Sequence, residues 1–186
     1  MSPLVRQPLT VEHALLGFLR ERPMHGYEIH QLMIDPAGLG LVWQVKQSHL
    51  YAMLDKLESD GFITGRQETQ NMRPPRRVFR LTPLGRRAFQ AWLSRPVSHG
   101  REVRLEFMAK LYFARREGPE RAAGLLKLQR EVCSDWRATF EAQSKTPGAD
   151  PDYGRLVRQF RLGQIEAMIA WLDQCAESLS ARGRGT

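Results

Sequence analysis

The residues of this chain best suited to binding chemistry are arginines gathered in one segment. Between Gly65 and Arg87 there are seven arginines, and Glu68 is the one carboxylate that opposes them. A guanidinium group makes forked hydrogen bonds to phosphates and guanine edges, which the point charge of lysine cannot copy. The 186-residue chain also carries a formal net charge of +8. Both observations favour a polyanionic partner, with nucleic acid first and an anionic membrane second. The seven are Arg66, Arg73, Arg76, Arg77, Arg80, Arg86 and Arg87.

Catalytic and metal-binding groups are not arranged for either task. The five histidines show no metal-ligand spacing to a cysteine or carboxylate cluster. Cys133 and Cys175 fall on apolar helical stripes, as core residues do, and no glycine-rich phosphate loop is present. Two distant cysteines also fit a reducing compartment. We therefore expect a cytoplasmic protein that is not an enzyme and holds no metal or cofactor.

The apolar run at residues 1–19 does not predict a membrane segment. It is short for a membrane span and is interrupted by Glu12 and His13. No small-residue cleavage site follows it, so it does not resemble a signal peptide. We expect no membrane partner.

The spacing of apolar residues predicts a small DNA-binding domain over residues 1–96. Three helices come first, the third from about Gln47 to Ser59. Short strands at 62–64 and 78–81 predict a hairpin with a basic tip. Thr82, followed by a proline, predicts the N-cap of a fourth helix. These elements make a winged helix-turn-helix, and we expect its core to lie wholly within this domain.

The second half, residues 97–186, is predicted to be helical. The pattern indicates a helix over 102–115, a long helix over 119–145 and a last helix over 152–179. Each long helix is around 40 Å in length at 1.5 Å per residue, too long to be covered by a small domain. We therefore expect packing on a second copy and a mainly α protein with a small β-hairpin. The predicted dimer interface consists of Tyr153, Val157, Phe160, Met168, Trp171 and Leu179.

Several short motifs follow one another along the first half: LLGFL at 15–19, HGYEI at 25–29, LYAML at 50–54 and PPRRVFRLT at 74–82. In this order they resemble the motifs of the PadR family of winged-helix repressors. The second half resembles the family's C-terminal helical domain more loosely, through residues 102–113 and Trp171-Leu172. The resemblance implies a cytoplasmic homodimer that binds palindromic operators in double-stranded DNA. It also implies repression that a small aromatic or drug-like molecule relieves, and dimerisation through the C-terminal helices.

The first candidate DNA contacts lie on the predicted second and third helices. The third helix of a winged helix enters the major groove, so Gln47, Ser48 and His49 are the predicted base readers. Alternatively, Ser48 only caps the helix. Tyr51 either donates to a phosphate or packs on the first turn. Tyr27 either contacts a phosphate or is structural, and the structural role is favoured.

The hairpin supplies the remaining predicted DNA contacts. Arg73, Arg76 and Arg77 are placed to meet phosphates or the minor groove. Successive strand residues alternate between the two faces of a sheet, so we do not expect all three to be used.

A candidate effector pocket comes from aromatic residues of the second half. These residues either line a pocket between subunits or form plain dimer core. The competing class of function is an architectural or protein-interaction factor without ligand regulation, which would bind most duplexes alike. The aromatic residues are Phe107, Tyr112, Trp136 and Trp171.

Overall fold

A computed structural model describes residues 9–68, 76–143 and 151–183. Within these ranges the chain divides into two compact units. The first unit comprises the described residues up to Ser94 together with Met108–Phe113. The second comprises Arg95–Phe107 and the described residues from Ala114 onward.

The first unit is a winged helix, and its four helices and the two strands of its hairpin come in the predicted order. The third helix begins and ends as predicted, and a short 3-10 turn, Leu39–Leu41, lies between the second and third helices. The helices are α1 (Thr10–Glu21), α2 (Gly26–Ile34), α3 (Gln47–Ser59) and α4 (Pro83–Leu93), and the strands are β1 (Met24–His25), β2 (Ile63–Glu68) and β3 (Arg76–Leu81).

The sheet is larger than the predicted hairpin. It contains three antiparallel strands in the order β1-β3-β2. Strand β1 has only two residues, with Met24 opposite Phe79, and so short a strand gives no alternating pattern in the sequence. Strands β2 and β3 pair as far as Glu68 opposite Arg76. Arg76 and Arg77 therefore lie on a paired strand, and not in the tip where the sequence had placed them.

The junction between the sheet and α4 depends on a cap and a glycine. As predicted, the Thr82 hydroxyl caps α4, accepting a hydrogen bond from the Gly85 N–H at 3.1 Å. The same hydroxyl lies 2.9 Å from the carbonyl oxygen of Phe62. Gly85 lies so close to Phe62 that a β-carbon would come 2.1 Å from this carbonyl oxygen. The first turn of α4 is thus fixed tightly against the start of β2.

Aromatic rings form much of the first core, and one of them comes from beyond residue 96. Phe113 meets Phe18 and Phe89 edge to face, with ring centroids 5.3 and 5.4 Å apart. Gly17 makes room for it, because a β-carbon there would lie 2.6 Å from the Phe113 ring. The expectation that this core lies wholly within residues 1–96 is therefore wrong. Leucines 50, 54 and 57 anchor the inner face of α3 in the same unit.

The second unit is built mainly from two long helices that pack on each other. The segment predicted as one helix over 102–115 instead contains a π-helical turn, Val103–Phe107. Gln129, on the helix Pro119–Gln143, is fully buried and binds the segment that follows α4. Its amide oxygen accepts a hydrogen bond from the Val97 N–H (2.7 Å), and its amide nitrogen donates to the Val97 carbonyl oxygen (3.3 Å). No described helix is both long and apolar enough to cross a membrane. The helices of this half are α5 (Gly100–Glu102), α6 (Met108–Glu117), α7 (Pro119–Gln143) and α8 (Pro151–Gly183).

Candidate nucleic-acid interface

The first turn of α3 presents polar side chains to solvent. Gln47, Ser48 and His49 are all exposed, while Leu50 behind them is fully buried. The N-cap position is occupied by Lys46, and no side chain caps the helix. The alternative role of Ser48 as the cap is therefore wrong. Because the first backbone N–H groups of a helix have no partner within it and carry partial positive charge, this end suits anionic or hydrogen-bond-accepting partners.

A groove beside this turn brings together residues from α2, α3, all three strands and the segment that precedes β1. The start of α2 contributes Tyr27, α3 contributes Tyr51, and β3 contributes Arg76 and Arg77. The Tyr27 side chain is 61% exposed and Tyr51 is 39% exposed. Four of the residues that the sequence singled out thus line one concave surface. Arg73 lies outside the described residues.

Arg22 is a groove residue that the sequence analysis missed. Its Nη2 lies 2.6 Å from Glu28 Oε1, and the His25 N–H donates to the other carboxylate oxygen of Glu28 at 3.2 Å. The hydrogen bond from Arg22 is the main reason why the pKa of Glu28 is lowered. The carboxylate at the start of α2 is therefore paired and does not stand as a lone negative charge in the groove. Arg22 precedes the arginine-rich segment and is adjacent to Glu21, so no local pattern marks it as a groove residue.

The three described arginines of β3 have different surroundings. Alternation along the strand directs Arg76 and Arg80 to one face and Arg77 to the other. On the first face, Arg80 Nη2 lies 3.5 Å from a Glu68 oxygen. On the second, Arg77 Nη1 lies 2.8 Å from Asp55 Oδ1, and its Nη2 pairs with Glu58. Arg77 is thus already engaged by carboxylates of α3.

The aromatic residues proposed for an effector pocket have separate surroundings. Phe107 and Trp171 meet edge to face in the second unit, with centroids 6.1 Å apart. Tyr112 belongs to the first unit, where its ring lies 6.1 Å from that of Phe18. Trp136 lines a cavity of about 590 Å³ in the second unit, a volume in the range of small-molecule sites. Other residues lining this cavity are Arg101, Phe140, Arg161, Ile165 and Met168.

The residues predicted for a dimer interface fall into two groups along α8. Tyr153 and Phe160 are 66% and 65% exposed, and Leu156 between them, which the sequence analysis omitted, is 57% exposed. Val157, between Leu156 and Phe160, is partly buried, as is Leu179 near the end of the helix. In the middle of the helix, Met168 lines the cavity and Trp171 packs on Phe107. The apolar stripe is therefore mostly exposed near the start of α8 and covered within the unit around Met168 and Trp171.

No metal site accompanies these features. Across the described ranges, no group of three or more histidine, cysteine, aspartate or glutamate side chains is placed to hold a metal ion. Both cysteines have a raised pKa, with burial as the first cause. A raised pKa disfavours the reactive thiolate.

Comparison with known proteins agrees with this arrangement. Residues 15–91 match the model of the transcriptional regulator PadR-like family, and residues 103–180 match that of the virulence activator alpha C-terminal domain. The negative transcriptional regulator PadR of Bacillus subtilis is 29% identical over 172 residues, which cover 88% of this chain and 93% of the relative. A probable transcriptional regulator of Mycobacterium tuberculosis is 26% identical over 196 residues, covering 94% and 100% of the two chains.

Solved structures of Bacillus subtilis PadR are also similar to this chain. The complex with operator DNA is 26% identical and covers 92% of this chain and 99% of its own, with a TM-score of 0.47. The complex with p-coumaric acid is 27% identical and covers 97% and 99%, with a TM-score of 0.42. The family match over residues 15–91 and the relatives that align with about nine-tenths of this chain carry the assignment. The chain belongs to the PadR-like family of transcriptional regulators.

Proposed function

We propose that this regulator is a homodimeric repressor that binds a palindromic operator in double-stranded DNA. The observation that carries the proposal is the exposed first turn of α3, beside a groove that collects two tyrosines and several arginines. This surface combines groups that read bases with groups that bind phosphates. The description of the Bacillus subtilis relative as a negative regulator supports repression over activation.

The proposed contacts divide by chemistry. Gln47, Ser48 and His49 read base edges, since their side chains are exposed at the end of the helix that a winged helix inserts into the major groove. The hydroxyl groups of Tyr27 and Tyr51 donate hydrogen bonds to phosphate oxygens of the DNA backbone. These contacts fix the position of the protein on the duplex but carry little sequence information.

The proposed dimer follows from the small number of base pairs that one winged helix can contact. A single winged helix contacts only a few base pairs, which is too few to select a site in a genome. Two copies related by a two-fold axis would read half-sites about one helical turn apart. We assign residues 1–96 to DNA binding and residues 97–186 to dimerisation. The exposed Tyr153, Leu156 and Phe160 near the start of α8 support this assignment.

The proposed control is release from DNA by a small aromatic molecule. The cavity is lined by the aromatic rings of Trp136 and Phe140 and by Arg101 and Arg161. Such a lining suits a planar molecule that carries a negative charge. The molecule would release DNA only by binding the DNA-free geometry more tightly than the DNA-bound one.

The deciding experiment is operator selection from random duplexes, followed by titration of variants on the selected site. Gln47→Ala and His49→Ala should each weaken specific binding by about 1–3 kcal/mol where the lost side chain makes a good base contact. Binding to random duplexes should hardly change. Ser59→Ala, at the exposed far end of the same helix, is the matched control and should bind like the wild type. Equal affinity for all duplexes would instead support an architectural factor and refute the proposal.

A further inference from the structure

We infer that Arg77 is a positioning residue, which holds the β2–β3 hairpin at a fixed angle to α3, and that it does not contact DNA. This reverses the role that its place in the arginine-rich segment had suggested. The inference rests on the proposed function only where operator binding is concerned. Its structural part concerns the contacts among α3, β2 and β3 in the DNA-free protein.

Both terminal nitrogens of the Arg77 guanidinium are engaged by α3. Nη1 lies 2.8 Å from Asp55 Oδ1, and Nη2 pairs with Glu58 Oε2. The centre of the guanidinium also lies 5.2 Å from the centroid of the Phe79 ring, on the same face of β3. A forked phosphate contact needs two free donors on one edge of the guanidinium. Two of its five N–H donors are already taken, and the two carboxylates offset its positive charge, so Arg77 is a poorer phosphate ligand than an unpaired arginine.

Gly65 makes this arrangement possible. A β-carbon at Gly65 would lie 2.6 Å from Arg77 Nε, so the arginine side chain passes over the space that a larger residue would fill. The Gly65 N–H in turn donates to Glu58 Oε1 at 2.7 Å. Glu58 therefore joins both strands of the hairpin to α3, receiving a backbone hydrogen bond from β2 and an ion pair from β3.

The contacts of Arg77 and Glu58 restrict the angle between the hairpin and α3. The hairpin would meet DNA beside the site occupied by α3, so the angle between them decides whether both can make contact at once. An individual exposed ion pair adds little stability, because water and salt screen it. Three joined interactions on one short segment restrict its direction more than any one pair does.

Arg76 provides the matched control. It is the neighbouring residue on β3, is exposed, and points to the opposite face, where Glu68 is its partner in the strand register. If Arg76 neutralises one phosphate, Arg76→Ala should lower the slope of log affinity against log salt by about 1. Arg77→Ala should leave this slope unchanged while it lowers the preference for operator over random duplex.

A measurement without DNA tests the structural part directly. In Arg77→Ala the Glu58 carboxylate loses its main anchor, so the Gly65 amide proton should exchange with solvent roughly two- to tenfold faster. Arg76→Ala should leave that exchange rate as in the wild type. Arg77→Lys, which can reach one carboxylate as a point charge, should restore part of both the protection and the operator preference. Glu58→Ala combined with Arg77→Ala should lose less operator preference than the sum of the two single losses.

Two outcomes would overturn the inference. One is a lower salt slope in Arg77→Ala, equal to that of Arg76→Ala, which would make Arg77 a phosphate contact. The other is a wild-type rate of Gly65 amide exchange in Arg77→Ala, which would show that Arg77 does not hold the hairpin. Should the wild-type protein prefer no duplex at all, the proposed function fails, while the exchange rates still decide whether Arg77 holds the hairpin.

Discussion

The ring of Tyr51 lies against the backbone of Gly26, so closely that a β-carbon on Gly26 would come within 2.6 Å of the ring. Gly26 is the first residue of α2 and Tyr51 lies in the second turn of α3. The absent side chain on one helix thus determines where an aromatic side chain of the other can lie. The Tyr51 hydroxyl is held in the groove by this packing.

We predict that Gly26→Ala will weaken DNA binding without unfolding the protein. The new methyl group meets only the far end of a partly exposed side chain, which can turn outward, and alanine is favoured over glycine in a helix. The loss should be about 0.5–1.5 kcal/mol if the displaced hydroxyl makes one hydrogen bond to DNA. Duplex titration of Gly26→Ala, Tyr51→Ala and the double variant would test this. A double variant that binds much more weakly than Tyr51→Ala would contradict a shared cause.

Unlike Gly26→Ala, which should leave the protein folded, Gly85→Ala should destabilise it. At Gly85 a β-carbon would meet the Phe62 carbonyl oxygen at 2.1 Å, and this backbone atom cannot turn away. We expect Gly85→Ala to lower the free energy of unfolding by about 1–3 kcal/mol. Gly124→Ala in α7 is the control, because nothing lies within 4 Å of its β-carbon position. It should raise stability by about 0.5–1 kcal/mol. Denaturant titration of both variants measures the difference.

Local signals in the sequence were sufficient for α3 and for the cap at Thr82. Each depends on residues a few positions apart, and both were confirmed. Strand β1 was missed because its two residues form a strand only by pairing with β3, more than fifty positions away. The ion pairs of Arg77 depend on the strand register and on the space at Gly65. In the sequence, Arg77 does not differ from Arg73 and Arg76, so the same DNA contact was predicted for all three.

The domain boundary predicted at residue 96 also separates Phe113 from the core in which it packs. The α6 segment reads as one amphipathic helix, and nothing local indicates that Phe113 enters the first unit. A fragment ending at Pro96 would lose this ring from between Phe18 and Phe89. Truncation therefore disturbs the winged helix itself, and point variants are the better way to separate dimerisation from DNA binding.

Gln129 should be essential to the stability of the second unit. Gln129→Leu would leave the buried N–H and C=O of Val97 without the partners that the amide supplies. Each unsatisfied buried group costs about 1–3 kcal/mol, so we expect a loss of about 2–4 kcal/mol in the free energy of unfolding. Gln159→Leu, the same substitution at an exposed position of α8, should change it by less than about 0.5 kcal/mol. Thermal and denaturant unfolding of both would show whether the two changes differ.

The proposed effector site can be tested through Trp136. With a planar aromatic carboxylate as the probe, binding beside Trp136 should quench the tryptophan fluorescence of the wild type. The quenching should persist in Trp43→Phe and disappear in Trp136→Phe. Binding should also lower operator affinity, and operator DNA should lower the affinity for the compound by the same factor. A compound that binds beside Trp136 and leaves operator affinity unchanged would remove the regulatory part of the proposal.

The last prediction concerns the dimer and rests on the exposed stripe at the start of α8. Leu156 and Phe160 are 57% and 65% exposed, four positions apart on one face of the helix. An apolar face of this kind is commonly covered by a partner. Replacing both by serine should convert a dimer to a monomer in sedimentation experiments. The helix should persist, because Ile165 and Leu172, which are buried on its inner face, are untouched.

The functional consequence separates dimerisation from DNA contact. The double variant keeps every proposed DNA contact, so its affinity for random duplexes per winged helix should hardly change. Its operator affinity should fall steeply, because two half-sites would then have to be filled by independent molecules. Leu41→Ser, which changes an 80% exposed leucine of the first unit, is the control and should remain dimeric. A monomeric double variant with undiminished operator affinity would show that one winged helix suffices for recognition, and a dimeric one would place the interface elsewhere on the chain.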